Sequence, residues 1–430
     1  MNDIRETRLD NGLLVLTKEM HAAPVAGSWL WYRVGSRNER TGITGISHWV
    51  EHMMFKGTPR FGKGEIHHLI SRNGGSHNAM TGHDFTCYYE ILPSDRLDLA
   101  FEIEADRMTN ALFDAQEVES ERTVIISERE GLENHPHFHL YEELIAAAFK
   151  VHTYGHETIG WKCDLQTITR DELFDYYRTY YAPSNAVLVV VGDFRSDRVL
   201  DKVQALFGNI ERGPAAPPVR AVEPPQEGER RVHVRRPGGT AYVDVAFHAP
   251  AATHPDFWPL FVLASVLSGV GQLNYTSPGA SGKSARLYRA LVERRLATEA
   301  NVSFGWTVDP ELFTVSATAW QGVPPKRLEG AILRELERAI AEPPVEQELA
   351  MIRKQARTQV VYAGDGVANV GFGLGMFEMA ASYHDFSTIL EKISSVTAAD
   401  VQRVASAYLT ETNRTTGWFV PSGGEGGQDE

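Results

Sequence analysis

One stretch of this chain occurs twice. Thr169–Phe194 (TRDELFDYYRTYYAPSNAVLVVVGDF) and Thr397–Trp418 (TAADVQRVASAYLTETNRTTGW) align at a fixed offset of 228, which brings Ile168 onto Val396, Thr169 onto Thr397, Tyr180 onto Tyr408 and Asn185 onto Asn413. The first copy opens on Thr169…Glu172, a capping box that starts a helix, and runs into an apolar segment that reads as a buried strand. A helix–strand unit repeated at such long range implies two similar halves. Residues 212–229 (RGPAAPPVRAVEPPQEGE) hold five prolines and read as a linker. The expected division is a first domain over 1–211, the linker, and a second domain over 230–430, which suits a chain of 430 residues.

In the first half, Ile4–Leu9 and Leu13–Lys18 alternate apolar and polar residues around Asp10-Asn11-Gly12, a hairpin signal. Val25–Val34 is rich in aromatic and β-branched residues and predicts a strand. Gly64–Asn73 predicts a short helix ended by Asn73-Gly74-Gly75. Ser76–Thr81 and Asp84–Ile91 predict a strand pair, and Ser94–Asn110 and Asp114–Asn134 two helices with plausible caps.

The chemistry concentrates in Thr44–Thr58 (TGISHWVEHMMFKGT), where His48, Glu51 and His52 stand as H-x-x-E-H. Residues at i and i+4 share a helix face, so two imidazoles can close on one cation. Glu51 can lean over the same point without ligating and accept a proton from a water that the metal activates. The order mirrors the commoner H-E-x-x-H zinc helix and is a known catalytic signature. Sixteen histidines make chance pairs on a solvated helix face expected, so the flanks matter. Trp49, Val50, Met53, Met54 and Phe55 make this a largely buried helix, and buried imidazoles and a carboxylate need a partner, for which a divalent cation is the natural choice.

Two histidines on one helix leave a third ligand to find, and catalytic zinc often takes His₂Glu. The acidic segment DAQEVESERTVIISEREGLEN offers Glu121 and Glu128, seven apart and on one face; Val124, Ile125 and Ile126 imply that one side is buried. Glu128 is the candidate ligand, and Glu121 a supporting group or an alternative ligand. The ordinary alternative for such a run is a solvated acidic face. Histidine and carboxylate accept zinc, manganese or cobalt alike.

Other signals carry less. His135-Pro-His-Phe-His139 resembles a metal cluster, but its spacing across a proline fits no single helix face, and a loop is the expectation. Gly371, Gly373 and Gly375 in GFGLG lack the strand and spacing of a nucleotide loop. Gly271–Lys283 reads as a flexible loop, and Pro255–Gly269 as an apolar helix; the second half has no H-x-x-E-H, so only the first half is expected to carry the metal. A net charge of −14 and a pI near 5.6 argue against a nucleic-acid binder. With two cysteines, no signal-peptide pattern and no long apolar run, no membrane span is expected and the cytoplasm is the expected location.

Taken together, HWVEHMMFKGT at 48–58, GGSHNAMTGHDFTCYY at 74–89, ESERTVIISE at 119–128, YYAPSNAVLVVVGDF at 180–194 and SARLYRALVERRLA at 284–297 make the chain resemble the inverted-zincin peptidases of the pitrilysin, insulin-degrading enzyme and mitochondrial processing peptidase family. The length is similar to that of the small-subunit branch, whose members pair into dimers. The resemblance implies an α+β fold of two homologous domains, each an antiparallel sheet with helices on one face. It also implies Zn²⁺ on His48, His52 and Glu128, Glu51 as general base, Glu121 as supporting carboxylate, and Asn78 and Ala79 on an edge strand that holds the substrate backbone.

The chain departs from that pattern at one place. Relatives that complete their own site carry an Arg and a Tyr in a second-half segment like LRE…GLAY; here Val292 stands at the Arg place and Thr298 or Glu299 at the Tyr place. Such a pair would bind substrate and stabilise a tetrahedral oxyanion. The resemblance therefore implies the zinc-bearing half of a heterodimer whose metal-free partner supplies the pair. The rival expectation is a non-catalytic, core-protein-like subunit of a larger complex.

Overall fold

The computed structural model describes residues 3–271, 273 and 282–422. The loop read at Gly271–Lys283 therefore lies, apart from its ends and Leu273, outside the described residues. The first half runs β1 (Ile4–Arg8), β2 (Leu14–Glu19), β3 (Val25–Tyr32), α1 (Ile46–Met53), α2 (Glu65–Arg72), β4 (Ser76–Thr81), β5 (Thr86–Pro93), α3 (Leu97–Asn110), α4 (Ala115–Glu133), α5 (Pro136–Ala148), α6 (Lys162–Thr167), α7 (Arg170–Tyr180), β6 (Ala186–Gly192) and α8 (Ser196–Phe207). The second runs β7 (Arg230–Pro237), β8 (Tyr242–Ala249), α9 (Phe257–Ser268), β9 (Ala297–Ser303), β10 (Glu311–Ala319), α10 (Pro325–Ala341), α11 (Glu346–Ala363), α12 (Val367–Ala380), α13 (His384–Ser395), α14 (Ala398–Tyr408) and β11 (Arg414–Ser422).

Local chemistry accounts for many boundaries. Gly12 at φ +97° makes the turn that lets β1 and β2 pair antiparallel. Thr169 and Thr397 each cap their helix, with Glu172 and Asp400 closing the box from the third position. The repeat extends to side-chain bonds. The Asn185 amide donates to the Tyr180 carbonyl and the Asn413 amide to that of Tyr408, each at 2.9 Å.

Among the described residues the strands form two sheets, ordered β1-β2-β6-β3-β5-β4 and β7-β11-β8-β10-β9. The five-stranded order repeats, with β6 matching β11 and β4 matching β9. The fold is α+β with two similar units, as expected, and adds two details. Each sheet holds one parallel pair, β2 with β6 and β7 with β11, while the remaining pairs are antiparallel. Each sheet also takes a helix from the other half of the sequence.

That exchange shows in the two compact units: Met1–Glu130, His156–Ala221 and Ala363–Ser387 form one, and Gly131–Gly155, Val222–Tyr362 and Thr388–Glu430 the other. The break at 221/222 falls inside the proline-rich stretch, but the units are not the contiguous spans 1–211 and 230–430. The reason is burial. Strand β6 is buried along its whole length and β3 along nearly all of it, so one layer of helices cannot cover that sheet. Successive β3 side chains alternate faces. Tyr32 packs on Tyr88 and Tyr181, while Trp29 and Trp31 meet α12, where a Cβ at Gly371 or Gly375 would run into their rings. The GFGLG run is thus a close-packing face. In the second unit α5 takes the equivalent place, with Leu140 and Leu144 over Gly417 of β11.

The loop expected at His135–His139 is instead the start of α5. Pro136 sits at a first-turn position, where its missing N–H costs nothing. No helix among the described residues is long and apolar enough to cross a membrane.

Candidate metal centre

Helix α1 is short, and its first turn is held from outside. Gly45 precedes it at φ +87° with no side chain to cap it. The buried Glu39 carboxylate does this instead, accepting from the Gly45 N–H at 2.8 Å and the Ser47 N–H at 2.9 Å, with His156 Nε2 2.9 Å away. A carboxylate on the free N–H groups of a helix start is favourable in both charge and hydrogen bonding. Asp164 holds the approach, accepting from the Gly42 and Thr44 N–H groups and the Thr44 hydroxyl. Ile46, Trp49, Val50 and Met53 are buried, and His48 and His52 share the remaining face. Glu39 and Asp164 are missed by sequence reading because nothing local marks them.

The Nε2 atoms of His48 and His52 are 3.2 Å apart. Helix α4 brings Glu121, Ile125 and Glu128 onto one face. Ile125 is buried, but Val124 is 41% exposed, so the buried side is narrower than three consecutive apolar residues suggest. The Glu128 Oε2 stands 3.6 Å from His52 Nε2 and 3.9 Å from His48 Nε2. A triangle with sides of 3.2, 3.6 and 3.9 Å has a circumscribed radius of about 2.1 Å, which is a zinc–nitrogen or zinc–oxygen bond length. Among the described residues this is the one group of three such donors within 4.8 Å of one another.

Glu121 reaches the cluster from behind. Its Oε1 lies 2.8 Å from His52 Nδ1, and its other oxygen pairs with Lys56. An ionised carboxylate only accepts, so Nδ1 carries a proton, and the ring presents a lone pair at Nε2 once that nitrogen gives up its own. The Nδ1 of His48 is buried without a partner. Burial, with His52 beside it, pushes His48 down to about 3 and so keeps the ring neutral, as a metal ligand must be. Burial would lower His52 too, but its bond to Glu121 and the charges of Glu128 and Glu51 raise it instead. Burial opposes charge on Glu121, yet its bonds to His52 and Lys56 hold its pKa below the usual value. The donor set and its backing fit a zinc ion.

Glu51 is buried beside this cluster and accepts a 2.5 Å hydrogen bond from the Thr81 hydroxyl. Burial raises its pKa, against the lowering effects of Thr81 and His52. Thr81 ends β4, and β4 is the outermost strand of its sheet, paired on one side to β5 with Asn78 opposite Tyr89 and Ala79 opposite Tyr88. Asn78 is exposed and Ala79 half-buried. Thr81 was not singled out from the sequence, although SHNAMT contains it.

The other sequence candidates do not join. His137 turns to Asp244 at 3.1 Å and His139 to the Glu133 carbonyl at 2.8 Å, so the two share no cation. Val292 closes a single turn of π-helix at Tyr288–Val292, and Thr298 and Glu299 lie on β9, the outer strand of the second sheet.

Residues 14–162 match the family model described as Insulinase (Peptidase family M16), and residues 167–356 match the model described as Peptidase M16 inactive domain. The chain is 28% identical to Zinc protease PqqE of Helicobacter pylori (strain ATCC 700392 / 26695) over 422 residues, 96% of this chain and 92% of that one. It is 27% identical to mitochondrial-processing peptidase subunit beta of Blastocladiella emersonii over 94% of this chain and 85% of that one. The crystal structure of a protease from Helicobacter pylori superposes with a TM-score of 0.92 at 27% identity, covering 98% of this chain and all of that one. A chain of complex III2 from Candida albicans shares the fold at a TM-score of 0.76 and 17% identity, over 96% of this chain and 95% of that one. Two domain models along the chain, and relatives matched along nearly their whole length, agree with the two-unit fold: this chain belongs to the M16 (insulinase) peptidase family.

Proposed function

We propose that the chain is a zinc-dependent endopeptidase acting on peptides or unfolded polypeptides, with His48, His52 and Glu128 as metal ligands. The observation that carries the reading is the convergence of these three donors beside Glu51, which is itself tied through Thr81 to an open strand edge. Zinc held there supplies Lewis acidity, which makes a water more acidic and a scissile carbonyl more electrophilic. Glu51 takes the proton from the attacking water and returns it to the leaving amine. Its raised pKa brings it closer to neutrality, where a group that both accepts and donates works best. The edge of β4 at Asn78 and Ala79 pairs with an extended substrate as an added strand, setting the scissile bond by register. Glu121 orients His52.

Val292, Thr298 and Glu299 offer no Arg and Tyr for the developing oxyanion. The complete site on this reading is a heterodimer in which a metal-free relative supplies that pair and the substrate lies in a chamber between subunits. Cys87 and Cys163 are both free, which suits a reducing compartment such as the cytoplasm. The competing role, a non-catalytic subunit like those of respiratory complexes, draws on the shared fold alone, and the full set of donors and base speaks against it.

The test measures zinc content and peptide cleavage together. Glu51→Gln is expected to keep zinc and lose turnover, whereas His52→Ala loses both. Full turnover in Glu51→Gln removes the general base, and full turnover by this chain alone removes the partner.

A further inference from the structure

The geometry points to a second metal site in the first unit, in which His67 of α2 and His77 of β4 together hold a divalent cation of the Zn²⁺, Ni²⁺ or Cu²⁺ class, with its remaining positions open to solvent. The Nδ1 of His67 and the Nε2 of His77 are 3.2 Å apart, the same separation as between His48 and His52. Bonds of about 2.05 Å from one ion to both nitrogens then subtend roughly 100° at the ion, close to tetrahedral. Imidazole suits cations of this class.

His77 is built to present that nitrogen. Its ring packs at 5.6 Å on Phe55, which lies under the buried Arg107 guanidinium at 5.1 Å. Its Nδ1 is buried with no partner, so Nε2 is its polar outlet. Burial, with Arg107 and His67 nearby, lowers its pKa to about 4, leaving a neutral ring at physiological pH. His67 is exposed and can adjust to an ion. A shared proton would produce the same separation, and the two arrangements differ in what added metal does.

The position has a consequence. On β4, Thr81 bonds Glu51 at one end, and His77 lies four residues, about 13 Å, toward the other. On the peptidase reading, on which this consequence alone rests, an ion on the face of β4 that His77 shares with Ala79 and Thr81 obstructs a substrate laid along that strand and slows cleavage when zinc is in excess.

The experiment titrates Zn²⁺ calorimetrically into the zinc-loaded protein, comparing wild type with His67→Ala and with His77→Phe, which keeps a ring against Phe55. Wild type is expected to take up one equivalent more than either variant. Uptake equal to wild type in either variant overturns the shared site, and the titration needs no turnover. Peptide cleavage in excess Zn²⁺ is expected to fall for wild type and to hold for His67→Ala. Equal inhibition of both overturns the obstruction while the titration still decides the site.

Discussion

The Nδ1 of His52 stands 2.8 Å from Oε1 of Glu121, on the side of the ring that faces away from His48 and Glu128. This bond selects the tautomer that offers Nε2 to the cluster and stops the ring from turning. Metal-binding histidines backed in this way usually lose 10–100-fold in metal affinity, roughly, when the backing group is removed. Glu121→Gln is therefore expected to weaken zinc binding by about that factor while the fold persists, as measured by competition with a chelator. Unchanged affinity would mean the carboxylate does not orient the ring.

Glu39 acts one step further out. It neutralises the start of α1 through the Gly45 and Ser47 N–H groups and is itself hydrogen-bonded to His156 Nε2. Glu39→Gln removes the charge and replaces one acceptor oxygen by a donor. Losing hydrogen bonds to a buried charged group costs about 1.5–3 kcal/mol. The expected result is a stability loss of that order in denaturant, together with weaker zinc binding, because His48 and His52 ride on the same two helical turns. A stability loss without any change in zinc affinity would confine Glu39 to folding.

Gly375 lets α12 lie directly on Trp31. Adding one methyl there forces either the indole or the helix to move. Overpacking a filled core costs about 1–3 kcal/mol. Gly375→Ala should lower the unfolding midpoint accordingly, whereas Gly322→Ala, where a Cβ meets nothing, tests the strain of a positive φ without a clash. Equal, small effects at both positions would show that the tryptophan contact is soft.

His137 gives the second unit a pH dependence. Its hydrogen bond to Asp244, ahead of the opposing effect of burial, raises its pKa above 6.5. A raised folded-state pKa on a histidine means the protonated ring is favoured by folding. The stabilisation is complete below the unfolded value and is lost as pH rises through the folded one. The ring is 42% exposed, so the effect is modest. The difference in unfolding midpoint between wild type and His137→Gln should shrink as pH is raised from about 6 to about 9. A difference that stays constant would mean the pair contributes through packing alone.

Sequence alone determined whatever depends on neighbours a few residues apart. The four-residue spacing of His48 and His52 on a helix, the matching boxes Thr169/Glu172 and Thr397/Asp400, the turn at Gly12 and the buried run of β6 all follow from backbone periodicity and short-range hydrogen bonds. Glu128 could be nominated by the face it shares with Glu121, but its approach to within 3.6 Å of a ring 76 residues earlier is a property of how α4 packs on α1. Thr81 on Glu51, Glu39 on the start of α1, and the exchange of α5 and α12 between sheets were decided only in three dimensions. The physical reason is common to all of these. A buried carboxylate or a two-faced apolar strand must be satisfied by something, and its own sequence states the need without naming the distant residue that meets it.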